Sequence, residues 1–142
     1  PAALIALGAT IVTDRREITA DDFFKGLFET ALEEDEIITK VKIPKAEKAA
    51  YGKFASTASK YAIVGVFVAK HASGVRVAVT GASSSYFRVE AMEQALANDW
   101  SAGALDGIAV ATEGLQSDME GDAAYRAHLV GVMAKRAVTA AG

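Results

Sequence analysis

The sequence contains no cysteine among its 142 residues. Disulfide bonds are therefore excluded, and so is thiolate ligation of zinc or of an iron–sulfur cluster by this chain. A chain without thiols is compatible with a reducing compartment, although this absence alone does not establish one. Histidine is also scarce, with two residues, and their positions show no metal-binding spacing.

Long hydrophobic runs are lacking as well. No stretch of about 18 apolar residues is present, so no transmembrane helix is predicted, and no signal peptide is recognisable. The longest apolar run, from Tyr61 to Ala69, has the length of a strand. The chain begins with Pro1, and its first seven residues have the pattern of a helix interior. We therefore expect it to be part of a longer protein.

A strong excess of charge of either sign is missing too. The formal net charge is −3, and no basic stripe is present, which disfavours nucleic-acid binding. The composition is 51% hydrophobic and 23% charged, which is enough apolar material for a sizeable core. A soluble globular protein is the expected class.

The first 45 residues read as the end of a mixed domain. A helix over 1–7 should end at Gly8, a strand should follow over 9–13, and Thr19 or Ala20 should open a short helical turn. Alternating side chains predict another strand over 36–43, which Pro44 ends. The polar residues 45–49 are a plausible boundary.

The remainder of the chain predicts an α+β unit in which a small antiparallel sheet is covered by helices. Strands are expected over 50–55, 62–70 and 75–80, with Ser73-Gly74 turning the last two into a hairpin. Helical periodicity follows over 89–96 and again over 105–112. Asp122 should cap a final helix, whose predicted inner face carries Tyr125, Leu129, Val132, Met133 and Arg136.

Most candidate sites favour a structural interpretation. The serine loop 83–85 lacks a nucleophile motif and an acid–histidine pair, so a turn is favoured over a phosphate-binding or catalytic loop. The acidic group Glu33–Glu36 is interpreted as a solvated turn, since nothing in the sequence indicates burial. His71 and His128 are assigned structural roles.

The segment from Tyr51 to Ala62 is the most informative part of the chain. A strand carrying Lys53 is followed by a loop of small residues and then by Tyr61. Tyrosine can lie against a planar ring, and lysine can donate a hydrogen bond or balance a negative charge. From chemistry alone, however, Lys53 as a surface strand residue and Tyr61 as a core aromatic remain the favoured interpretation.

The same segment resembles the flavoprotein (medium) subunits of molybdenum hydroxylases of the carbon monoxide dehydrogenase and xanthine dehydrogenase type. The resemblance covers the chain in consistent order, and each motif is modest alone. The matching stretches are Pro1 to Thr10, Phe23 to Pro44, Tyr51 to Val66, Val77 to Gly81, Phe87-Arg88, Tyr125 to Leu129 and Arg136-Ala137.

The resemblance implies an architecture and a set of cofactor contacts. Residues 1–45 would be the C-terminal remnant of an FAD-binding domain, and residues 46–142 the flavoprotein C-terminal α+β domain. Lys53 would reach the FAD, Tyr61 would lie over the isoalloxazine face, and Ile38 would touch the ring edge. Tyrosine at position 61 favours the carbon monoxide dehydrogenase-like branch. Lys60, where many members have an acid, departs from the pattern and would alter the local charge near the flavin.

The resemblance also implies an oxidoreductase function that depends on other chains. FAD would pass electrons from [2Fe–2S] centres on a small subunit to an external acceptor, and a large subunit would carry the molybdenum cofactor. The expected location is the cytoplasm, with association at the inner face of the membrane left open. This piece alone would be inactive. The alternative is a non-catalytic interaction module that docks on partner subunits.

Overall fold

The structure, a computed structural model, describes residues 1–142. Its first part contains two short helices and two small antiparallel sheets. Strand order is β2-β1-β5 in the first sheet, and β3 and β4 form a separate pair. The elements are α1 (Ala2–Ala6), β1 (Thr10–Thr13), β2 (Glu17–Thr19), α2 (Ala20–Phe23), β3 (Phe24–Gly26), β4 (Glu29–Thr30) and β5 (Ile38–Lys42).

The second part is built on a four-stranded antiparallel sheet with strand order β6-β7-β8-β9. Two helices and a 3-10 turn follow in the chain, and the long last helix packs on β6 and β7. The elements are β6 (Lys48–Ala55), β7 (Ala62–His71), β8 (Gly74–Thr80), β9 (Phe87–Arg88), α3 (Glu90–Asn98), the 3-10 turn (Gly103–Leu105) and α4 (Ala123–Ala141).

The main hydrophobic core lies between this sheet and the helices α3 and α4. Successive strand side chains point to opposite faces, so alternate valines of β7 and β8 turn toward the helices. Val66 and Val77 are fully buried there. Burying such a side chain contributes about 1.5–3 kcal/mol relative to exposure, so the valine alternation that predicted the strands also drives the packing.

A second hydrophobic cluster lies on the opposite face of the same sheet. Helix α1 packs there through Ile5, and the cluster includes the small residues Ala69 of β7 and Ala78 of β8. Small side chains on a strand let a helix backbone approach closely. The N-terminal elements are therefore packed directly on the second part of the chain.

The structure confirms the α+β class with small antiparallel sheets. Both predicted caps are present, because the Tyr125 amide donates to Asp122 and the Asp22 amide donates to Thr19. The helix predicted over 105–112 is wrong. Only the 3-10 turn forms, and Gly107 then takes a φ of 76°. Ile108 and Val110 pack on the main core from a segment without regular secondary structure.

The predicted inner face of the last helix was partly wrong. Leu129 and Met133 are buried as expected, but Tyr125 is 41% exposed and Arg136 is also exposed. Arg126 is buried in their place. The apolar periodicity of the helix gave no reason to expect Arg126 to be buried. The fold instead surrounds it with acceptors.

The acidic group was also misjudged at one position. Glu36 is 7% exposed and forms an ion pair with Arg16 at 2.9 Å. The Thr13 hydroxyl and the Glu33 backbone N–H also donate to it, at 2.7 and 2.8 Å. Hydrogen bonds from Arg16, Glu33 and Thr13 lower the pKa of Glu36 to about 2 from 4.5. These donors, which sequence spacing does not reveal, allow the carboxylate to be buried.

Candidate functional site

The loop that joins β6 to β7 is a compact turn tied together at Ser56. The Ser56 amide donates to the Tyr61 carbonyl at 2.8 Å, and the Lys60 amide donates to the Ser56 carbonyl at 3.1 Å. Lys60 adopts a φ of 62°, a conformation that a side chain disfavours. These bonds give the loop a defined shape and determine where Tyr61 leaves it.

Tyr61 extends from this loop into solvent. Its side chain is 81% exposed, so the interpretation of Tyr61 as a core aromatic is wrong. Its local hydrogen bonds are made by the backbone, where the amide donates to the Ser59 hydroxyl at 3.3 Å and the carbonyl accepts from the Ser56 amide. An exposed aromatic ring on a tied loop has a face available for stacking on another planar group.

Lys53 lies beside the same loop, on the solvent-facing side of β6. Its ammonium group donates to the Lys60 carbonyl at 3.3 Å and makes no ion pair. An ammonium group has three donors, so two N–H groups remain available. The structure thus brings the Lys53 ammonium to the backbone of the loop that carries Tyr61.

The sheet surface next to Lys53 is covered by an aromatic ring. Gly65 pairs with Lys53 on one side and with Thr80 on the other. The Tyr51 ring lies against Gly65, where a Cβ would meet the Tyr51 hydroxyl, and stacks on Phe67 with 6.2 Å between ring centroids. Burial raises the pKa of Tyr51, so its hydroxyl remains protonated and able to donate.

Ile38 is not part of this arrangement. It begins β5, where it pairs with Thr13 of β1, and its side chain is 43% exposed. It belongs to neither hydrophobic cluster, and no hydrogen bond joins β5 to the β6–β7 loop. The structure therefore groups two of the three predicted contact residues and leaves Ile38 on a separate sheet.

Arg126 is a residue of this region that sequence analysis missed. It lies on α4 beneath the loop and is 2% exposed. Its guanidinium donates to the Ile63 carbonyl at 2.8 Å and to the Gly81 carbonyl at 3.0 Å. The one available signal was an arginine on a helix otherwise rich in apolar residues. Periodicity could not say which way it pointed.

The serine loop 83–85 has no histidine base nearby of the kind that a nucleophilic serine needs. Ser83 borders a cleft of about 520 Å³ whose ionisable lining residues are Arg88, Glu90 and Glu113. No histidine lines this cleft or the neighbouring one of about 400 Å³ that contains Ser84 and Ser85. No group of three or more His, Cys, Asp or Glu side chains is arranged to bind a metal ion.

The fold defines this chain as an α+β protein whose β6–β7 hairpin presents an exposed tyrosine and a lysine. Two known families match it, one for each part of the chain. The FAD binding domain in molybdopterin dehydrogenase matches residues 1–46, and the CO dehydrogenase flavoprotein C-terminal domain matches residues 49–141. The chain belongs to the CO dehydrogenase flavoprotein C-terminal domain family.

Curated relatives match over the whole chain. The chain is 35% identical to the nicotine 6-hydroxylase medium subunit of Paenarthrobacter nicotinovorans, covering 100% of this chain and 55% of that protein. It is 30% identical to the carbon monoxide dehydrogenase medium chain of Hydrogenophaga pseudoflava, and the match covers 99% of this chain and 55% of that protein. The chain thus spans about half the length of the curated relatives it matches.

Solved structures show the same likeness. Reconstituted CO dehydrogenase from Oligotropha carboxidovorans superposes with a TM-score of 0.85 at 27% identity, over 99% of this chain and 55% of that one. Carbon monoxide dehydrogenase from Hydrogenophaga pseudoflava which lacks the Mo-pyranopterin moiety gives 0.79 at 31% identity, with the same coverage. No helix of the chain combines the length and apolar character needed to cross a bilayer.

Proposed function

We propose that this chain forms one wall of an FAD site in the flavoprotein subunit of a carbon monoxide dehydrogenase-type molybdenum hydroxylase. The observation that carries the proposal is the β6–β7 hairpin. Its tied loop presents the exposed ring of Tyr61, and the Lys53 ammonium donates to the preceding Lys60 carbonyl of the same loop. Membership of a flavoprotein family supports FAD as the ligand.

The residues present fit the chemical needs of a flavin ring. An isoalloxazine has two flat apolar faces and one edge of hydrogen-bond acceptors. Tyr61 offers an exposed aromatic face, and Lys53 offers free donors beside it. Next to Lys53, the Tyr51 ring covers Gly65 and adds an aromatic side chain to this part of the sheet. A carboxylate paired with Lys53 would neutralise its charge and repel negative charge on the ring. No carboxylate forms an ion pair with Lys53.

Each residue then has a role toward the cofactor. FAD supplies the electron-accepting chemistry. Tyr61 packs on the ring face, Lys53 donates to the ring edge or balances its negative charge, and Ile38 makes an apolar contact at an edge. In this proposal residues 1–45 close an FAD-binding domain, and residues 46–142 form the flavoprotein C-terminal domain.

The complete protein would act within a larger enzyme. Electrons would reach FAD from [2Fe–2S] centres on a small subunit and would leave to an external acceptor. The lack of cysteine in this chain agrees with clusters held elsewhere. A large subunit would carry the molybdenum cofactor and oxidise the substrate. The cytoplasm is the proposed location. The 142-residue chain would be inactive alone.

The direct test is flavin content. The full-length protein that carries this chain should be purified and its visible absorption spectrum recorded, followed by denaturation and identification of the released cofactor. We expect a flavin spectrum and about one FAD per protein. A full-length protein that is folded, remains colourless and does not bind added FAD would contradict the proposal.

A non-catalytic docking module is the second candidate. Strand β5 and the residues on either side of it support this function. Four apolar residues at this edge of the three-stranded sheet are between 40% and 65% exposed, namely Ile37, Ile38, Val41 and Ile43. Exposed apolar side chains grouped along a strand are typical of an interaction surface. Stable association with partner subunits by a full-length protein that binds no FAD would favour this function over the first.

A further inference from the structure

Helix α4 carries one charged side chain into the protein beneath the β6–β7 loop. The Arg126 side chain is 3% exposed. Besides donating to the Ile63 and Gly81 carbonyls, it binds both carboxylate oxygens of Asp118 at 2.8 Å. Burying an unpaired guanidinium would be strongly unfavourable. Here every bond offsets that cost and fixes the group in one orientation.

The segment after Asp118 leads from Arg126 toward the loop that carries Tyr61. The Glu120 amide donates to an Asp118 carboxylate oxygen at 2.9 Å. The Glu120 carboxylate accepts the hydroxyl hydrogen of Ser56 at 2.7 Å. Asp118 is held ionised for this role, because its hydrogen bond from Arg126 lowers its pKa.

Ser56 is the last residue of this series of hydrogen bonds and the first residue of the β6–β7 loop. It is 5% exposed, and its amide donates to the Tyr61 carbonyl. Arg126, Asp118, Glu120, Ser56 and Tyr61 also line one small cavity of about 160 Å³. The buried arginine is thus connected to the Tyr61 backbone through the side chains of three polar residues and the backbone amides of Glu120 and Ser56.

We propose that Arg126, Asp118, Glu120 and Ser56 form a positioning network that holds the Tyr61 loop in the orientation needed to stack on the flavin. This inference rests on the proposed function, because it assigns these residues a role toward the same FAD site. None of the four touches the ligand. They act through Tyr61, by reducing the number of loop conformations that must be lost when FAD binds.

The network is suited to this task because of its geometry. A guanidinium is planar and donates in fixed directions, so Arg126 can hold the end of β8 at Gly81 and the start of β7 at Ile63 in one arrangement. Lysine has a single flexible point charge and cannot make the same set of bonds. The exposed end of the network, at Glu120, can be altered without removing any buried side chain.

The test is a double-mutant cycle between Glu120 and Tyr61 in the full-length protein, with FAD affinity and flavin fluorescence as readouts. Glu120→Ala removes the acceptor of the Ser56 hydroxyl. We expect it to weaken FAD binding about fivefold, the net contribution of one hydrogen bond. Flavin fluorescence should also rise, because a less ordered Tyr61 ring would stack on the flavin less and quench it less. Glu120→Gln keeps an acceptor oxygen and should restore both readouts.

In the Tyr61→Leu background the effect of Glu120→Ala should vanish, because the group being positioned is gone. Asp106→Ala is the control, since it removes an exposed carboxylate paired with Lys135 elsewhere on α4. It should change neither readout.

An equal effect of Glu120→Ala in both backgrounds, or none in either, would overturn the inference while leaving the proposed function intact. A wild-type protein that binds no FAD would overturn both. Arg126→Lys should lower affinity further, and its thermal unfolding must be measured to separate loss of the fold from loss of positioning.

Discussion

At the scale of single residues, the chemistry of this chain is carried by a few side chains whose surroundings set their roles. Lys53 and Tyr61 are ordinary residue types, and only their position beside one loop distinguishes them. Arg126 and Glu36 are charged groups placed where charge is unusual. In both cases several donors or acceptors converge on the group, so burial becomes tolerable.

Replacing Lys53 by methionine should weaken FAD binding by the full-length protein about tenfold. Methionine keeps most of the apolar length of the lysine side chain but lacks the ammonium group. The expected loss follows because a hydrogen bond to a charged group contributes about 1.5–3 kcal/mol. Isothermal titration or fluorescence titration with FAD measures this. Lys48→Met, at the other end of β6, is the matched control and should bind FAD as the unaltered protein does.

The ion pair of Glu36 should give the protein a pH-dependent component of stability. The folded pKa is about 2, below the ordinary 4.5. The stabilisation is therefore fully present above pH 4.5 and is lost as the pH falls toward 2. Glu36→Gln cannot ionise, so its deficit in urea-unfolding stability should shrink across that window. The exposed neighbour Glu34→Gln should leave the pH profile unchanged, and a constant deficit for Glu36→Gln would contradict this account.

At the scale of elements, the contact between α4 and β6 determines how the sheet is covered. Gly52 of β6 faces the helix, and a Cβ added there would lie 2.5 Å from the Met133 carbonyl oxygen. The obstacle is backbone, which cannot turn aside as a side chain can. The absence of a side chain at position 52 is therefore what lets the helix lie this close to the strand.

Gly52→Ala should destabilise the protein by about 1–3 kcal/mol, the usual consequence of overpacking a close contact. Gly131→Ala provides the matched control on the same helix, because nothing lies within 4 Å of its added Cβ. Alanine is favoured over glycine in a helix, so that variant should gain about 0.5–1 kcal/mol. Urea unfolding of both proteins measures the difference, and equal effects would refute the packing argument.

At the scale of the whole molecule, the N-terminal elements and the four-stranded sheet are held together by contacts on the sheet's outer face. Arg76 of β8 forms an ion pair with Asp21. The Tyr86 hydroxyl donates to the Asp21 carbonyl at 2.6 Å, and a ring nitrogen of His71 lies 3.3 Å from the Ala6 carbonyl oxygen. Together with the packing of α1, these contacts should make the two parts unfold together.

We therefore expect one cooperative unfolding transition for the chain. Fluorescence of Trp100 reports the main core, on which it packs, and hydrogen exchange of the β1 amides reports the N-terminal sheet. Coincident midpoints are the expected outcome, and two separate midpoints would show that the parts unfold independently. Asp21→Ala should lower the common midpoint, with a loss of about 1 kcal/mol for a partly exposed charged hydrogen bond.

Much of the fold could be predicted from local sequence patterns. Valine alternation predicted β8, Ser73-Gly74 predicted its hairpin with β7, and Asp122 predicted the start of α4. These signals act between residues a few positions apart, so they are present in the sequence before any tertiary contact forms. The family resemblance came from the same local motifs, and it was the only reason to single out Lys53 and Tyr61.

The sequence by itself therefore determined the class of fold, most strand and helix positions and the family of the chain. Tertiary structure alone decided the burial of Glu36 and Arg126, the exposure of Tyr61 and the loss of the helix expected over 105–112. The physical reason is that these features depend on contacts between residues far apart in the sequence. Arg126 is satisfied by the Ile63 carbonyl, 63 positions away in the chain. Neither helical periodicity nor composition contains information about partners that distant.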